Sequence, residues 1–446
     1  MKKSLLRSAG LLLTASLIFG TPGLTEVNAE INATIVEGAH GEVILEELYP
    51  GWEFASTFEV TEGNYKYHAY LSTDQTEAWI YQIDILKTSK RLEIPEMLDG
   101  KKVTRLGFTL EDEDDCWKNI FGGYEDLYHG QDATDRIFDN ITELVLPETL
   151  TAIQPATFAT MDGIRKVKIP EGVTELKEQT FSNCDDLTTV SLPDSLADIS
   201  YQTFYASPRL KNLNVSSNAK IRVKDRCVIR KRDGALVYVL PGKGKINIPN
   251  GTKKIMQYAF CSSTASSVYI PASVQVIEGD IFTKGPALGD EQKIKKVSVS
   301  KKNRVFKKDG SCIYNKKKKS LAILTVNSNT VRLSDKIEHL TLDVSVINNV
   351  TSGERAGNNI RVIFPKNLRT ITARDFPSAK EIYYTGKKPP VTVIDPEYEL
   401  EGYDDILPTA GVIYVPEKSK AAYKKWYKKN KCHQKKWVTY DPKTLR

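Results

Sequence analysis

The sequence repeats one arrangement of apolar residues around a proline. The clearest copies have their prolines at Pro147, Pro170, Pro193, Pro249, Pro271 and Pro365, and adjacent copies are 22 or 23 residues apart. The positions three, six and eleven residues after these prolines are apolar in every copy except at Thr252. Repetition at this period limits the chain to architectures built from stacked, similar units.

Each copy predicts one strand followed by a return leg. Segments such as "KVKIP" (166–170) and "TVSLP" (189–193) alternate outward and inward residues, and the proline then ends the strand. One coil of this kind cannot cover its own core, whereas stacked coils can. A period in the low twenties therefore predicts a right-handed leucine-rich-repeat solenoid of the α/β class, with a parallel sheet along its concave face.

Two copies lack the proline and continue into hairpin-like stretches, which are "KDRCVIRKRDGALVYVL" (224–240) and "KDGSCIYNKKKKSLAIL" (308–324). In both stretches a cysteine precedes a leucine by nine residues, so the larger module is itself repeated. Alternating residues on either side of an exposed turn predict β-hairpin insertions at 216–241 and 300–325.

These motifs resemble the BspA-type leucine-rich repeat family of bacterial surface and secreted proteins. Besides the repeat and the "KDG…IY" hairpin, "LEIPEMLDGKKVTRLG" (92–107) is similar to the family's N-terminal segment. "GKKPPVTV" (386–393) and "VIYVPEKSKAAYKKW" (412–426) are similar to its C-terminal closure. The resemblance covers roughly residues 86–430 and implies an exported, non-catalytic binding or adhesion protein. The chain departs from the family at 109–140, an insertion into the first coil.

The first residues predict export. Lys2, Lys3 and Arg7 precede an apolar stretch at 11–20, and small residues follow near Ala29. This order is typical of a cleaved signal peptide over 1–29, and an uncleaved anchor is the alternative. We therefore expect a secreted protein, extracellular or associated with the cell surface, with no membrane-spanning segment in the mature chain.

Three further segments follow from the composition. Residues 30–85 are acidic and strand-rich and are expected to cap the solenoid at 86–416. Residues 417–446 are expected to form a helical, basic C-terminal cap, in which Tyr423, Trp426 and Tyr427 share one helix face and lysines occupy the other. The alternative for this segment is a polybasic anchor to a membrane or a cell wall.

The charge is unevenly distributed along the chain. Residues 31–140 hold 9 Lys and Arg against 23 Asp and Glu, whereas residues 141–446 hold 51 against 31. A basic body of this size favours polyanionic partners, although solvated surface lysines explain most such excesses. Nucleic acid is not expected, because the chain is predicted to be exported and lacks aromatic residues interleaved with its basic runs.

The outward strand positions are the candidate ligand contacts, because they form the concave surface of such a solenoid. The candidates are Lys166, Lys168, Asn212, Asn214, Lys245, Asn247, Tyr269, Lys296 and Arg361. The outward positions include five bases and one acid, Glu143, with few aromatic residues. We hypothesise an anionic glycan or wall polymer, or an extracellular protein such as a host or matrix component, as ligand. The alternative is a face that is merely solvated.

No catalytic, metal or cofactor motif is evident. The five histidines have no paired metal spacing, no G-x-S-x-G occurs, and no cysteine pair forms CxxC. The insertion 109–140 contains Cys116, His129 and the acidic run 111–115, so an enzyme using this insertion is one alternative. A purely structural surface spacer is another. We expect a monomeric, non-catalytic protein without cofactors, and no disulfide pairing can be assigned.

Overall fold

The computed structural model describes residues 49–108, 119–121, 137–217, 219–282, 294–340, 344–348, 360–372, 379–393, 407–408, 410–432, 434 and 436–445. The predicted signal peptide at 1–29 and most of the insertion 109–140 lie outside these residues. The chain divides into two compact units, residues 1–207 and 208–446. Each unit is described by itself.

The first unit contains twelve strands and one short 3-10 helix, Ile137–Asn140, among its described residues. The strands are β1 (Trp52–Glu62), β2 (Tyr65–Ser72), β3 (Glu77–Ile85), β4 (Arg91–Glu93), β5 (Met97–Leu98), β6 (Lys101–Leu106), β7 (Glu143–Val145), β8 (Ala152–Ile153), β9 (Lys166–Lys168), β10 (Glu175–Leu176), β11 (Thr189–Ser191) and β12 (Asp198–Ile199).

The described part of the acidic N-terminal segment, residues 49–85, contains an antiparallel sheet that continues into the repeats. β1 pairs with β2 and β2 with β3, and β3 then runs parallel to β6. β6 in turn pairs in parallel with β8, the short strand of the first repeat. Trp79 is buried at the centre and donates its indole N–H to the Gly107 carbonyl at 2.7 Å. An aromatic residue with a satisfied polar group can thus occupy this core.

The repeats of the first unit place strands in two parallel ladders. The first ladder consists of the strands that precede the repeat prolines: β4 pairs with β7, and β9 pairs with β11. The second ladder consists of two-residue strands around the sixth position after the proline, where β10 pairs with β12. The predicted parallel sheet is therefore observed, and a second ladder that the sequence analysis did not predict accompanies it.

The phenylalanines at the eleventh position stack from one repeat to the next. The Phe158 and Phe181 rings are stacked with centroids 5.3 Å apart, and those of Phe181 and Phe204 are 6.1 Å apart. All three side chains are fully buried. The Phe158 backbone N–H donates to the Thr180 carbonyl and that of Phe181 to the Thr203 carbonyl, so adjacent turns satisfy each other's polar backbone groups.

The second unit contains twenty-one strands among its described residues. The first eleven are β13 (Asn212–Asn214), β14 (Ile221–Lys224), β15 (Cys227–Arg230), β16 (Ala235–Val239), β17 (Lys245–Asn247), β18 (Lys254–Ile255), β19 (Ser267–Ile270), β20 (Val276–Ile277), β21 (Lys296–Val299), β22 (Phe306–Asp309) and β23 (Cys312–Asn315). The others are β24 (Ser320–Val326), β25 (Thr330–Arg332), β26 (His339–Leu340), β27 (Ser345–Asn348), β28 (Arg361–Phe364), β29 (Thr370–Ile371), β30 (Ala379–Tyr384), β31 (Val391–Thr392), β32 (Ala410–Pro416) and β33 (Trp437–Tyr440).

The two hairpin-like stretches form antiparallel strands, and the last strand of each joins a parallel ladder of two-residue strands within the second unit. β14, β15 and β16 form an antiparallel meander, and β16 then runs parallel to β18 with Leu236 opposite Ile255. β22, β23 and β24 repeat this arrangement, and β24 pairs in parallel with β26. The last hairpin strand thus occupies the ladder position that the two-residue strand fills in the shorter repeats.

One α-helix, α1 (Lys420–Lys429), occurs among the described residues, after the 3-10 turn Glu417–Ser419. Tyr423, Trp426 and Tyr427 are buried on one face, as the sequence predicts. Tyr423 and Tyr427 pack against Tyr384, and the Tyr384 and Tyr427 hydroxyls are 3.0 Å apart. The helix thereby closes the apolar core next to β30, and its role as the terminal cap remains a prediction. Residues Pro442–Thr444 form a further 3-10 turn.

Five cysteines are described, and all are buried without forming a disulfide. Burial raises the pKa of the Cys227 thiol to about 12 and that of Cys312 to about 11. These side chains therefore behave as small apolar core residues. No helix in the described residues is long and apolar enough to cross a bilayer.

Candidate functional site

The nine candidate residues all lie on strands β9, β13, β17, β19, β21 and β28, at the positions that alternate with core residues. Their outward positions follow from the burial pattern exposed–buried–exposed in β9, β13 and β17. Lys296 and Arg361 are exposed as well, and Tyr269 is half-buried. The strand alternation read from the sequence therefore gives the correct face for each residue. Whether they bind a ligand remains a prediction.

In the first unit, Lys166 and Lys168 lie on β9, but only one of them is without an ionic partner. The Lys168 ammonium lies 2.6 Å from the Glu148 carboxylate, and this hydrogen bond raises the pKa of Lys168. Lys166 forms no ion pair within the described residues. The predicted acid on this face, Glu143, forms an ion pair with Arg91.

In the second unit, Asn212 and Asn214 are exposed on β13. They supply amide groups and no charge, so they are candidates for hydrogen bonding to a polar ligand. The remaining candidates lie on two separate sheets. Lys245, Asn247, Tyr269 and Lys296 lie on the sheet formed by β17, β19 and β21, and Arg361 lies on the sheet that contains β28.

The sheet of β17, β19 and β21 carries two outward rows of polar side chains. Lys245, Ser267 and Lys296 are register partners in one row. Asn247, Tyr269 and Ser298 are register partners in the next. We refer to these six residues as the Tyr269 platform.

Tyr269 lies at the centre of the platform, with a lysine on each neighbouring strand. The Lys245 ammonium is 5.5 Å from the centroid of the Tyr269 ring, within the range of a cation–π contact. Neither Lys245 nor Lys296 forms an ion pair within the described residues. The two strands that flank Tyr269 thus each carry a lysine without an ion pair in the described residues, and the Lys245 ammonium contacts the Tyr269 ring.

Lys308 adds to the positive potential at one edge of the platform. Its ammonium donates a 2.8 Å hydrogen bond to the Val297 carbonyl, directly after Lys296. Burial, and secondarily the charge of Lys296, lower the pKa of Lys308. A nearby anion would relieve this repulsion.

Arg361 lies in a different environment from the other bases. Its Nε donates a 2.7 Å hydrogen bond to Glu381 on β30, and this contact raises its pKa. Its guanidinium also lies 5.3 Å from the centroid of the Tyr383 ring. Arg361 is therefore neutralised by a residue of the next strand.

Aromatic residues cover the outer side of this last sheet, contrary to the expectation of few aromatics. The Tyr383 and Tyr414 rings are stacked, with centroids 4.2 Å apart and planes within 2°. Tyr440 packs edge-on against Tyr383 at 5.3 Å. The segment after β33 contacts β25, the strand at the opposite edge of this sheet: the Arg332 guanidinium donates a hydrogen bond to the Leu445 carbonyl at 3.2 Å.

The sequence count of five bases against one acid therefore needs correction. Lys168 is paired with Glu148, and Arg361 is paired with Glu381. Neither acid belongs to the outward strand positions in that count, because Glu148 lies in a turn and Glu381 lies in a strand without a repeat proline. Three candidate bases remain without an ion pair in the described residues: Lys166, Lys245 and Lys296. Two of these three belong to the Tyr269 platform.

Within the described residues, no cluster of three or more His, Cys, Asp or Glu side chains could hold a metal ion. His68 lies between Glu59 and Asp84, at 2.9 and 2.8 Å, on the N-terminal sheet. The insertion residues Cys116 and His129 and the acidic run 111–115 lie outside the described residues. The hypothesis of an enzyme in this insertion therefore remains a prediction.

Comparison with known proteins adds a family and several similar structures. Residues 135–227 and 243–334 match the family model for the BspA type Leucine rich repeat region, in six copies. A comparison with curated proteins found no match.

Three crystal structures are among those similar to the chain. A leucine rich cell surface protein from Faecalibacterium prausnitzii A2-165 is 18% identical, with a TM-score of 0.36, and the alignment covers 71% of this chain and 91% of that one. The pneumococcal vaccine antigen PcpA is 15% identical, with a TM-score of 0.35 and coverage of 86% and 99%. A leucine-rich repeat protein from Bacteroides ovatus ATCC 8483 is 13% identical, with a TM-score of 0.31 and coverage of 85% and 100%.

The repeats of this chain are BspA-type leucine-rich repeats. This assignment depends on the matched residues and on the parallel ladders that the repeat prolines delimit. Repeats of this type indicate a surface or binding role.

Proposed function

We propose that the protein is exported and acts without catalysis as a binding protein, which recognises an anionic glycan or wall polymer through the Tyr269 platform. The observation that carries this proposal is the pair of uncompensated lysines, Lys245 and Lys296, on either side of a half-buried tyrosine. The proposal keeps the polyanionic ligand predicted from the sequence and restricts its site to one sheet.

The platform combines three groups that suit an acidic polymer. The lysines supply charge, and Asn247, Ser267 and Ser298 supply hydrogen-bond donors and acceptors. Tyr269 offers an amphipathic surface of the kind enriched at binding interfaces. The surrounding β-ladder fixes the backbone positions that carry these side chains, so the backbone needs no ordering when a ligand binds.

Charge reversal tests this assignment. In the variant K245E/K296E we expect the affinity for heparin to fall at least tenfold, because reversal replaces attraction by repulsion at two adjacent strands. The matched control is K317E/K318E, which makes the same charge change at an exposed hairpin turn. We expect this control to lie within about twofold of the unmodified chain at the same ionic strength.

Equal losses in both variants would show that only net charge matters and would contradict a defined site. Binding by the unmodified chain that does not weaken between low and physiological salt would contradict an ionic ligand contact. The variant Y269A separates the roles of ring and charge: it should weaken binding without changing the salt dependence.

A further inference from the structure

The helix α1 presents a basic surface that is separate from the Tyr269 platform. Lys424, Lys425, Lys428 and Lys429 are exposed, and Lys420 is half-buried. The flanking residues Lys418 and Lys431 are also exposed.

Two more lysines reach this surface from the loop before β31. The Ser419 hydroxyl donates to the Lys387 carbonyl at 2.8 Å, and the Tyr423 hydroxyl donates to the Lys388 carbonyl at 3.0 Å. These contacts place the exposed residues Lys387 and Lys388 beside the start of α1. We call the whole set the lysine surface: Lys387, Lys388, Lys418, Lys420, Lys424, Lys425, Lys428, Lys429 and Lys431.

The lysine surface is not neutralised by the residues that the structure describes. None of its nine lysines forms an ion pair there, and the segment 417–431 contains a single acidic residue, Glu417. Residues 394–406, which carry six acidic residues, lie outside the described part of the chain and are not included in this surface.

These charges oppose the stability of the helix that carries them. Lys420, Lys424 and Lys428 follow one another at intervals of four residues, as do Lys425 and Lys429, and like charges at this spacing repel. The first turn of α1 contains no acid, although the positive end of the helix dipole lies there. Packing requires only the buried face of Tyr423, Trp426 and Tyr427. Departures from local stability rules of this kind are expected at functional sites.

We propose that the lysine surface binds a linear phosphodiester polymer and so holds the protein at a polyanionic cell surface. At 100° per residue, the five lysines of α1 are spread over about 180° of the helix circumference. A flexible polymer can follow such an arc, whereas a flat bilayer meets only part of it. Helices that lie in a membrane interface also expose apolar residues for insertion, and here the large apolar side chains are buried.

The test compares two variants of the full chain that lose the same charge. K424Q/K425Q/K428Q/K429Q removes four lysines of the surface, and K301Q/K302Q/K317Q/K318Q removes four exposed lysines elsewhere. Binding to poly(glycerol phosphate), a linear phosphodiester polymer, is measured over a range of salt concentrations. We expect the helix variant to bind at least tenfold more weakly at low salt and its slope of log affinity against log salt to fall by about three. The control should stay within about twofold.

Glutamine has a helix propensity close to that of lysine, so the helix variant should keep its fold and its thermal melting midpoint should not fall. Equal losses in both variants would overturn the proposal. So would the absence of binding to poly(glycerol phosphate) by the unmodified chain at low salt, or binding to phosphatidylglycerol vesicles without binding to this polymer. The proposal does not depend on the Tyr269 platform, because none of the nine lysines of the lysine surface belongs to that platform.

Discussion

Thr252 is the one residue that departs from the apolar pattern of the repeat, and the structure shows what this departure costs. Its side chain is fully buried, and its hydroxyl has no hydrogen-bond partner within the described residues. Its backbone N–H donates to the Pro249 carbonyl at 3.2 Å, as the leucine or valine does in other copies. A buried hydroxyl without a partner destabilises the folded state.

We therefore predict that T252V increases the free energy of unfolding by about 1 kcal/mol, because valine keeps the shape and removes the unsatisfied hydroxyl. Equilibrium denaturation with urea measures this change. A matched control is T203V, since the Thr203 hydroxyl is buried but donates to the Leu176 carbonyl at 3.1 Å, and this variant should be less stable than the unmodified chain. Destabilisation by T252V would contradict the account.

Among individual residues, the ion-pair partners of the outward bases could not be predicted from the sequence. The outward positions of Lys168 and Arg361 could be predicted from strand alternation. Their partners could not, because Glu148 belongs to the turn after Pro147 and Glu381 to a strand without the repeat proline. Which charges remain uncompensated depends on contacts between different coils.

At the scale of elements, the strands before the prolines and both hairpins could be predicted, since each has enough residues to show alternation. The strands of the second ladder have two residues each, which is too short for a periodic signal. The register between the hairpins and this ladder also depends on stacking. For this reason the sequence predicted one parallel sheet where two ladders are present.

The sheet of β25, β28, β30, β32 and β33 has an expected pH response. Burial raises the pKa of Tyr383 and of Tyr440 to about 12. The neutral hydroxyls are thus favoured in the folded state. Their contribution to stability is fully present below about pH 10, the ordinary pKa of tyrosine, and is lost as the pH rises through 12.

We predict that the variant Y383F/Y440F loses less stability between pH 10 and pH 12 than the unmodified chain does, because phenylalanine does not ionise. Urea unfolding at a series of alkaline pH values measures the difference. Parallel stability curves for both chains would show that these two hydroxyls do not titrate with unfolding.

At the scale of the whole molecule, the charge asymmetry read from the sequence has a structural counterpart. The basic body of residues 141–446 contains ion-paired bases as well as two groups without ion pairs in the described residues, on the Tyr269 platform and on the lysine surface. Net charge alone predicted a polyanionic partner but could not distinguish these groups. The platform requires three strands from different coils, and the lysine surface gains Lys387 and Lys388 through backbone contacts.

The most direct test of the central claim is lysine acetylation footprinting of the full chain with and without heparin, read residue by residue by mass spectrometry. The account predicts that Lys245 and Lys296 are protected in the complex, whereas Lys317 and Lys318 on the exposed hairpin turn react at the same rate in both states. Equal reaction rates of Lys245 and Lys296 in the free and bound chain would contradict ligand binding at the Tyr269 platform.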